Sequence, residues 1–369
     1  MKKFIPISEP SITQKEIDYV TDAVKSTWVS SLGHYINRFE NEFADFCNVR
    51  YALTTSNGTT ALHLVLVAME IGEGDEVIVP DLTFIATANA VAYTGAKVVT
   101  VDIEESTLCI DPEKIKAAIT DKTKAIIPVH LYGHPANMPE ILEIAQKHGI
   151  KVVEDAAEAH GAEINGQRVG SFGHASIFSF YGNKVITSGE GGMITTDDEA
   201  LYEKMKYLRD HAMTKEKRYW HTEIGYNYRM TNLQAALGVA QLERINEILE
   251  KKTAIYSIYE RELGGVKGIR LNPSASWAKN VYWMVCLEID GFTEEKRDAF
   301  MTKLKEFKID SRPYFYPVSY MPMYDENTVG EVTKKVYQCG INIPSYFDLG
   351  EDEVIEIAQT IKNLLKESL

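Results

Sequence analysis

The chain has 369 residues, 45% hydrophobic and 25% charged, which is the balance of an ordinary soluble globular protein with room for two domains and a large core. Its net charge of −14, with no offsetting basic stripe, argues against nucleic-acid binding; an anionic small molecule needs only a local positive pocket. The four cysteines (Cys47, Cys109, Cys286, Cys339) are far apart and form no CxxC pair, which disfavours a zinc site or a disulfide framework and suits a reducing cytoplasm. Met1-Lys2-Lys3-Phe4-Ile5-Pro6 lacks the apolar core of a signal peptide, and no stretch approaches the roughly 20 apolar residues of a membrane span. The expectation is a cytoplasmic chain with no membrane partner.

In chain order, Thr13-Gln14-Lys15-Glu16 predicts a capping box at the start of a helix. Tyr51–Thr55 reads as a strand. The helix from Gly58 that follows is apolar nearly all round and therefore buried. Further strands are expected at Glu76–Pro80, Lys97–Val101, Lys124–Val129, Lys151–Glu154, Ala175–Phe180 and Gly192–Thr196, with helices near 84–94, 112–120 and 138–148. Most of these strands are β-branched runs without polar alternation, as in strands covered on both faces. The alternation of strand and helix predicts an α/β fold with a parallel or mixed sheet, whose ligands lie beyond the carboxyl ends of the strands. After Thr231 one long helix is expected to about Lys252. Beyond it the rhythm changes to a smaller α+β unit, with strands at Tyr282–Leu287 and Ile309–Tyr316 and a final helix at Asp352–Lys366. The domain boundary is placed near 250, giving a large unit over 1–250 and a small one over 251–369.

Three local features carry chemistry. Ser56-Asn57-Gly58-Thr59-Thr60 opens a helix, where a glycine admits an anion and free N–H groups bind phosphate; a plain strand-to-helix turn is the bland alternative. Asp155 follows the strand Lys151–Glu154 and is either a helix-capping aspartate or the partner of a pyridinium N–H. Lys184 follows an apolar strand and precedes Ser188-Gly189-Glu190-Gly191-Gly192, glycines that permit a tight return beneath a bound ring; most lysines are simply solvated. A phosphate cradle, an acid at a strand end and a later lysine are together the fixed points needed to hold pyridoxal phosphate (PLP). Ser179 can offer its hydroxyl to the phosphate. Phe84 either stacks on the ring or is core, and His160 is ambiguous in the same way. No histidine shows metal-ligand spacing, so no metal is expected. Gly225-Tyr226-Asn227-Tyr228-Arg229-Met230-Thr231 is a loop before a helix capped by Thr231, and spacing alone does not say what Asn227 and Arg229 touch. Arg312-Pro313-Tyr314-Phe315-Tyr316-Pro317 is either small-domain core or a substrate wall.

Together these motifs resemble the sugar aminotransferases of the DegT/DnrJ/EryC1/StrS group. The likeness spans essentially the whole chain and is densest in SNGTTALHL, GDEVIVPDLTFIATANA, PVHLYGHP, EDAAEAHG, SFYGNKVITSGEGGM, YWHTEIGYNYRMTN and RPYFYPVSYMPMY. It implies the type I PLP-dependent (aspartate aminotransferase) fold, with PLP and pyridoxamine phosphate alternating. It also implies glutamate as amino donor, a nucleotide-linked 4-keto-6-deoxy sugar as acceptor, and a homodimer with shared sites. By that resemblance Lys184 is the Schiff-base lysine and proton shuttle, and Asp155 pairs with the pyridine nitrogen. Gly58, Thr59 and Ser179 hold the phosphate, Phe84 flanks the ring, and Asn227 reaches the phosphate from the partner subunit. The wider group usually has glutamine near the cofactor O3′, where this chain has Glu158. Members acting on GDP-4-keto-6-deoxymannose share that glutamate. A related dehydratase carries histidine in place of the lysine, and Lys184 argues against that chemistry. An acidic protein that binds a diphosphate and a flat base needs local cations and aromatic walls, for which Trp220, Arg229, Arg312 and Tyr316 are the candidates. The alternatives are transfer to a UDP- or dTDP-linked sugar or to another ring carbon, and a PLP-binding regulatory protein without turnover.

Overall fold

The computed structural model describes residues 3–324 and 329–368. Seven strands form the main sheet in the order Tyr51–Thr55, Gly192–Thr196, Ala175–Ser179, Lys151–Asp155, Thr123–Ile126, Glu76–Pro80, Lys97–Val101. Gly192–Thr196 runs antiparallel to both its neighbours, and every other pair is parallel. The sheet is thus mixed, and helices cover both faces. Adjacent apolar residues explain why. Ile78, Ile126 and Val152 enter one buried cluster, while Val77, Val79, Ala125 and Val153 enter the other. Successive side chains of a strand point to opposite faces, so runs without polar alternation need cover on both.

The Gly58–Ala68 helix lies buried on one side, as its all-round apolar surface requires. Both expected caps form: Thr13 with Glu16, and Thr231 with Gln234. A four-stranded antiparallel sheet, ordered Ile269–Leu271, Val285–Ile289, Gly340–Ile343, Arg312–Pro313, builds the second layer. It packs with the helices Glu294–Glu306 and Glu351–Ser368. Ile5 joins this second core and pairs with Ile309, so the N-terminal segment belongs physically with the C-terminal layer.

Three expectations are corrected. The single helix after Thr231 is two helices, Asn232–Leu242 and Ile245–Leu263, and the expected boundary near 250 falls inside the second. At the break Arg244 leaves helical geometry (φ −104, ψ 3), and its guanidinium donates to Glu16 Oε1 at 2.8 Å and to the Ser11 carbonyl at 3.2 Å. The strand expected over Ile309–Tyr316 shrinks to Arg312–Pro313, because Pro313 and Pro317 carry no N–H for a ladder. The strand expected from Tyr282 starts at Val285, because Tyr282 sits at φ 49, outside the β region.

Candidate active site

The carboxyl ends of the parallel strands open into one cavity of about 360 Å³. Thr55 leads into Asn57, whose side chain caps the Thr60 N–H at 2.9 Å and fixes the start of the Gly58–Ala68 helix. The first N–H groups of a helix have no intrahelical partner, and the helix dipole makes that end attractive to anions. Gly58 and Thr59, at that end, line the cavity. Gly58 abuts Ser179: a Cβ on residue 58 would stand 3.1 Å from the Ser179 Cβ and crowd the cradle.

Asp155 ends the central strand and is buried. It accepts hydrogen bonds from Thr87 Oγ1 (2.8 Å) and from the Ala157 N–H (3.2 Å). Burial raises its pKa above the usual carboxylate range, against the pull of Thr87, Ala157 and the Lys184 charge. Next to it in sequence, Glu154 is just as buried yet shifted downward. Burial again pushes it up, but His130, Ser176 and backbone donors prevail. Its carboxylate accepts from His130 Nε2, Ser176 Oγ and the N–H groups of Gly170, Phe172 and Gly173. His130 Nδ1 accepts from the Ala136 N–H, so its Nε2 carries the proton given to Glu154. This network anchors the strand that presents Asp155.

Lys184 reaches the same cavity with a side chain only 11% exposed. Its Nζ lies 3.4 Å from Glu158 Oε1 and 4.1 Å from the centroid of the Trp283 ring. Glu158 also accepts from the Tyr132 N–H at 3.0 Å, and burial raises its pKa despite the Lys184 charge. Tyr132 adopts φ 53 to aim that N–H. Phe84 is on the rim, 5.7 Å from Phe315 between ring centroids.

The cavity therefore brings together Gly58, Thr59, Phe84, Asp155, Glu158, Ser179 and Lys184. Asn227, Trp220, Arg229, Arg312 and Tyr316 are not among its lining residues. Asn227 Oδ1 accepts from Arg229 Nη2 at 3.1 Å, and Arg229 Nη1 pairs with Asp210 at 2.7 Å. The Trp220 ring receives Lys217 at 4.1 Å, Arg312 pairs with Asp310, and Tyr316 packs on Tyr337. The aromatic segment 312–317 divides between both of its readings: Tyr314 is core and Phe315 is cavity wall. His160 is core, packed on Phe178 and Phe180, with its pKa pushed down to about 3 by burial. Sequence reading missed Thr87, Asn183 and Trp283. Thr87 had a local signal, one helical turn after Thr83 with hydroxyls 3.1 Å apart. Trp283 had none, being brought in by the small sheet.

The donor set suits PLP. Asp155 has spare acceptor capacity and a raised pKa, which an N–H⁺ partner would reverse. The helix start, where Gly58 abuts Ser179, and a nearly buried amine line the same cavity. Among the described residues, no cluster of histidine, cysteine and carboxylates could hold a metal ion, and no helix is long and apolar enough to cross a membrane.

Comparison with known proteins agrees. The model of the DegT/DnrJ/EryC1/StrS aminotransferase family matches residues 10–362. GDP-perosamine synthase of Escherichia coli O157:H7 is 45% identical over 360 residues, covering 97% of this chain and 98% of that protein. The Vibrio cholerae protein of the same name is 44% identical over 362 residues, with 97% and 98% covered. Among solved structures, Spr1654 of Streptococcus pneumoniae, assigned as a sugar aminotransferase and solved in its PLP form, superposes with TM-score 0.94 at 27% identity over 100% of each chain.

Proposed function

The chain belongs to the DegT/DnrJ/EryC1/StrS aminotransferase family, and we propose that it transfers an amino group from glutamate to C4 of GDP-4-keto-6-deoxymannose, giving GDP-perosamine. One observation carries the chemistry: Lys184, Asp155 and the start of the Gly58–Ala68 helix face a single cavity. The choice of sugar rests on the GDP-perosamine synthases, similar at 44–45% over nearly their whole length, and on Glu158.

PLP, when bound, supplies the ring into which the electron pair of a broken C–H bond is drawn. The Gly58 and Thr59 N–H groups and the Ser179 hydroxyl hold its phosphate. Asp155 keeps the ring nitrogen protonated, and Thr87 with the Ala157 N–H fixes the carboxylate for that task. Lys184 is the tether and the general acid/base: its Nζ takes up and returns the proton. Glu158 keeps that amine at hand, 3.4 Å away. Trp283 and Phe315 form part of the cavity wall. In this reading two copies of the chain share their sites in the cytoplasm, with Asn227 of each serving the other's phosphate. Trp220, Arg229, Arg312 and Tyr316 are the proposed contacts to the nucleotide sugar.

The test is product identification by mass and NMR after incubation with glutamate and GDP-, UDP- or dTDP-linked 4-keto-6-deoxy sugars. The GDP-mannose derivative should give the highest kcat/KM. A UDP or dTDP sugar used better would overturn the choice of substrate and leave the aminotransferase class intact.

A further inference from the structure

The Ile245–Leu263 helix carries Lys252 and Tyr256 at i and i+4, side by side on one face. They grip consecutive residues of another segment. The Tyr256 ring stacks on Tyr282 at 3.8 Å and 8°, and Lys252 Nζ donates to the Trp283 carbonyl at 2.8 Å. Two further contacts go to the Ser345 carbonyl (2.6 Å) and the Ser345 hydroxyl (2.9 Å). Three acceptors match the three N–H groups of an ammonium; a neutral amine has only two. No carboxylate pairs with Lys252 among these contacts, though the residue is only 7% exposed. A buried cation of this kind is costly, and an apolar side chain of similar volume would fill the space more cheaply.

What the lysine holds lies next to the reactive amine. Tyr282, at φ 49, occupies the left-handed region that bulky residues avoid. Its N–H is fastened to Asn280 Oδ1 at 2.8 Å. This kink presents Trp283, whose Nε1–H donates to the Asn183 carbonyl at 2.7 Å and whose ring faces Lys184 Nζ at 4.1 Å. Ser345 lies two residues past the Gly340–Ile343 strand of the small sheet, after Pro344. Lys252 thus ties the small sheet, the indole and the lysine loop to one point.

We propose that Lys252 is a positioning residue: by holding the Trp283 carbonyl it fixes the indole against Lys184, so that the small sheet governs the placement of the reactive amine. The proposal rests on Lys184 being that amine. Burial lowers the Lys252 pKa to about 7. As pH rises through neutrality one N–H is lost, and the two carbonyls then take both remaining N–H groups while the Ser345 hydroxyl turns to donate to the freed lone pair. The other titratable groups around the same small chamber are Glu9 from the N-terminal segment, Lys184 from its loop and Tyr346 beside Ser345.

The experiment uses the holoenzyme and Lys252→Met, which keeps length and apolar volume and removes every donor. Trp283 emission is isolated by subtracting the spectrum of Trp283→Phe. The expected result is a fall in kcat of roughly 2- to 30-fold, the worth of one well-placed cation–π contact. KM should change by less than about 2-fold, and Trp283 emission should move to the red. Wild-type kcat, or a fall in kcat without any change in Trp283 emission, overturns the proposal. If Lys252→Met does not fold, Ser345→Ala is used instead, which removes the side-chain anchor of Lys252. Trp283 emission should again move to the red, and unchanged emission overturns the proposal. Absence of any amino transfer by the wild type would instead sink the functional reading, while the emission result still tests the Lys252 contact.

Discussion

Replacing Asp155 with asparagine separates the chemistry of this residue from its place in the fold. The substitution keeps the volume but halves the acceptors. Both Thr87 Oγ1 and the Ala157 N–H now donate to the carboxylate, and an amide has only one oxygen to receive them. The charge matters more. Burial raises the Asp155 pKa in the folded chain. A raised acid contributes stability below its unfolded pKa, and that contribution is lost as pH rises through the folded value, a loss that a neutral asparagine does not share. As pH rises through the folded Asp155 value, the melting temperature of the cofactor-free wild type should therefore fall relative to that of Asp155→Asn. The bound enzyme should show the opposite. Loss of one charge-assisted hydrogen bond to a protonated ring nitrogen costs about 1.5–3 kcal/mol, or roughly 10- to 150-fold in a matching equilibrium or rate. The assays are thermal melts with and without PLP, and kcat/KM. The variant should gain less melting temperature from PLP than the wild type and lose at least about tenfold in kcat/KM. Wild-type turnover, or an equal gain from PLP, would refute the pairing.

Lys184→Ala should bind PLP without a covalent link and lose transfer; borohydride reduction of the wild type should fix the cofactor on the peptide that holds Lys184, and label on another lysine would sink the assignment. Asn227→Ala should weaken PLP binding, and mixing it with Lys184→Ala should restore partial activity, since one site of each hybrid dimer would receive both intact groups; mixed dimers with no recovery would refute the shared site. Glu154→Ala strands five buried donors and should cost roughly 3–5 kcal/mol of stability; an unchanged denaturant midpoint would show that the network anchors nothing.

The sequence disclosed those features whose causes are local. The strands Tyr51–Thr55, Glu76–Pro80, Lys97–Val101 and Gly192–Thr196 fall where the apolar runs put them, because burial on both faces leaves a continuous signature. Gly58, Asp155 and Ser179 sit at strand or helix ends and Lys184 in the loop beyond one of them, and those ends converge in a mostly parallel sheet. What escaped depends on distant partners. The pattern after Thr231 stays helical through Arg244; only the pull of Glu16 and Ser11 makes the break. Trp283 comes from the segment leading into the second sheet, and its position over Lys184 follows from a left-handed Tyr282 and a lysine on another helix. No window of sequence contains those three together.

The two adjacent acids at the end of the central strand show why the site is poised for a cationic ring. Glu154 and Asp155 are both fully enclosed, yet their pKa values move in opposite directions. Supply of donors makes the difference. Glu154 receives five, which outweigh the penalty of burial; Asp155 receives two and is left with an unmet demand for positive charge that faces the cavity. Glu158 adds a second raised acid, and Lys184 is the one cation beside the pair among the cavity's lining residues. Both raised acids would be relieved by added positive charge beside them, which is what a protonated ring nitrogen brings. Had Asp155 been supplied as Glu154 is, it would be a better structural residue and a poorer partner for that ring, because the charge it offers would already be spent on the backbone.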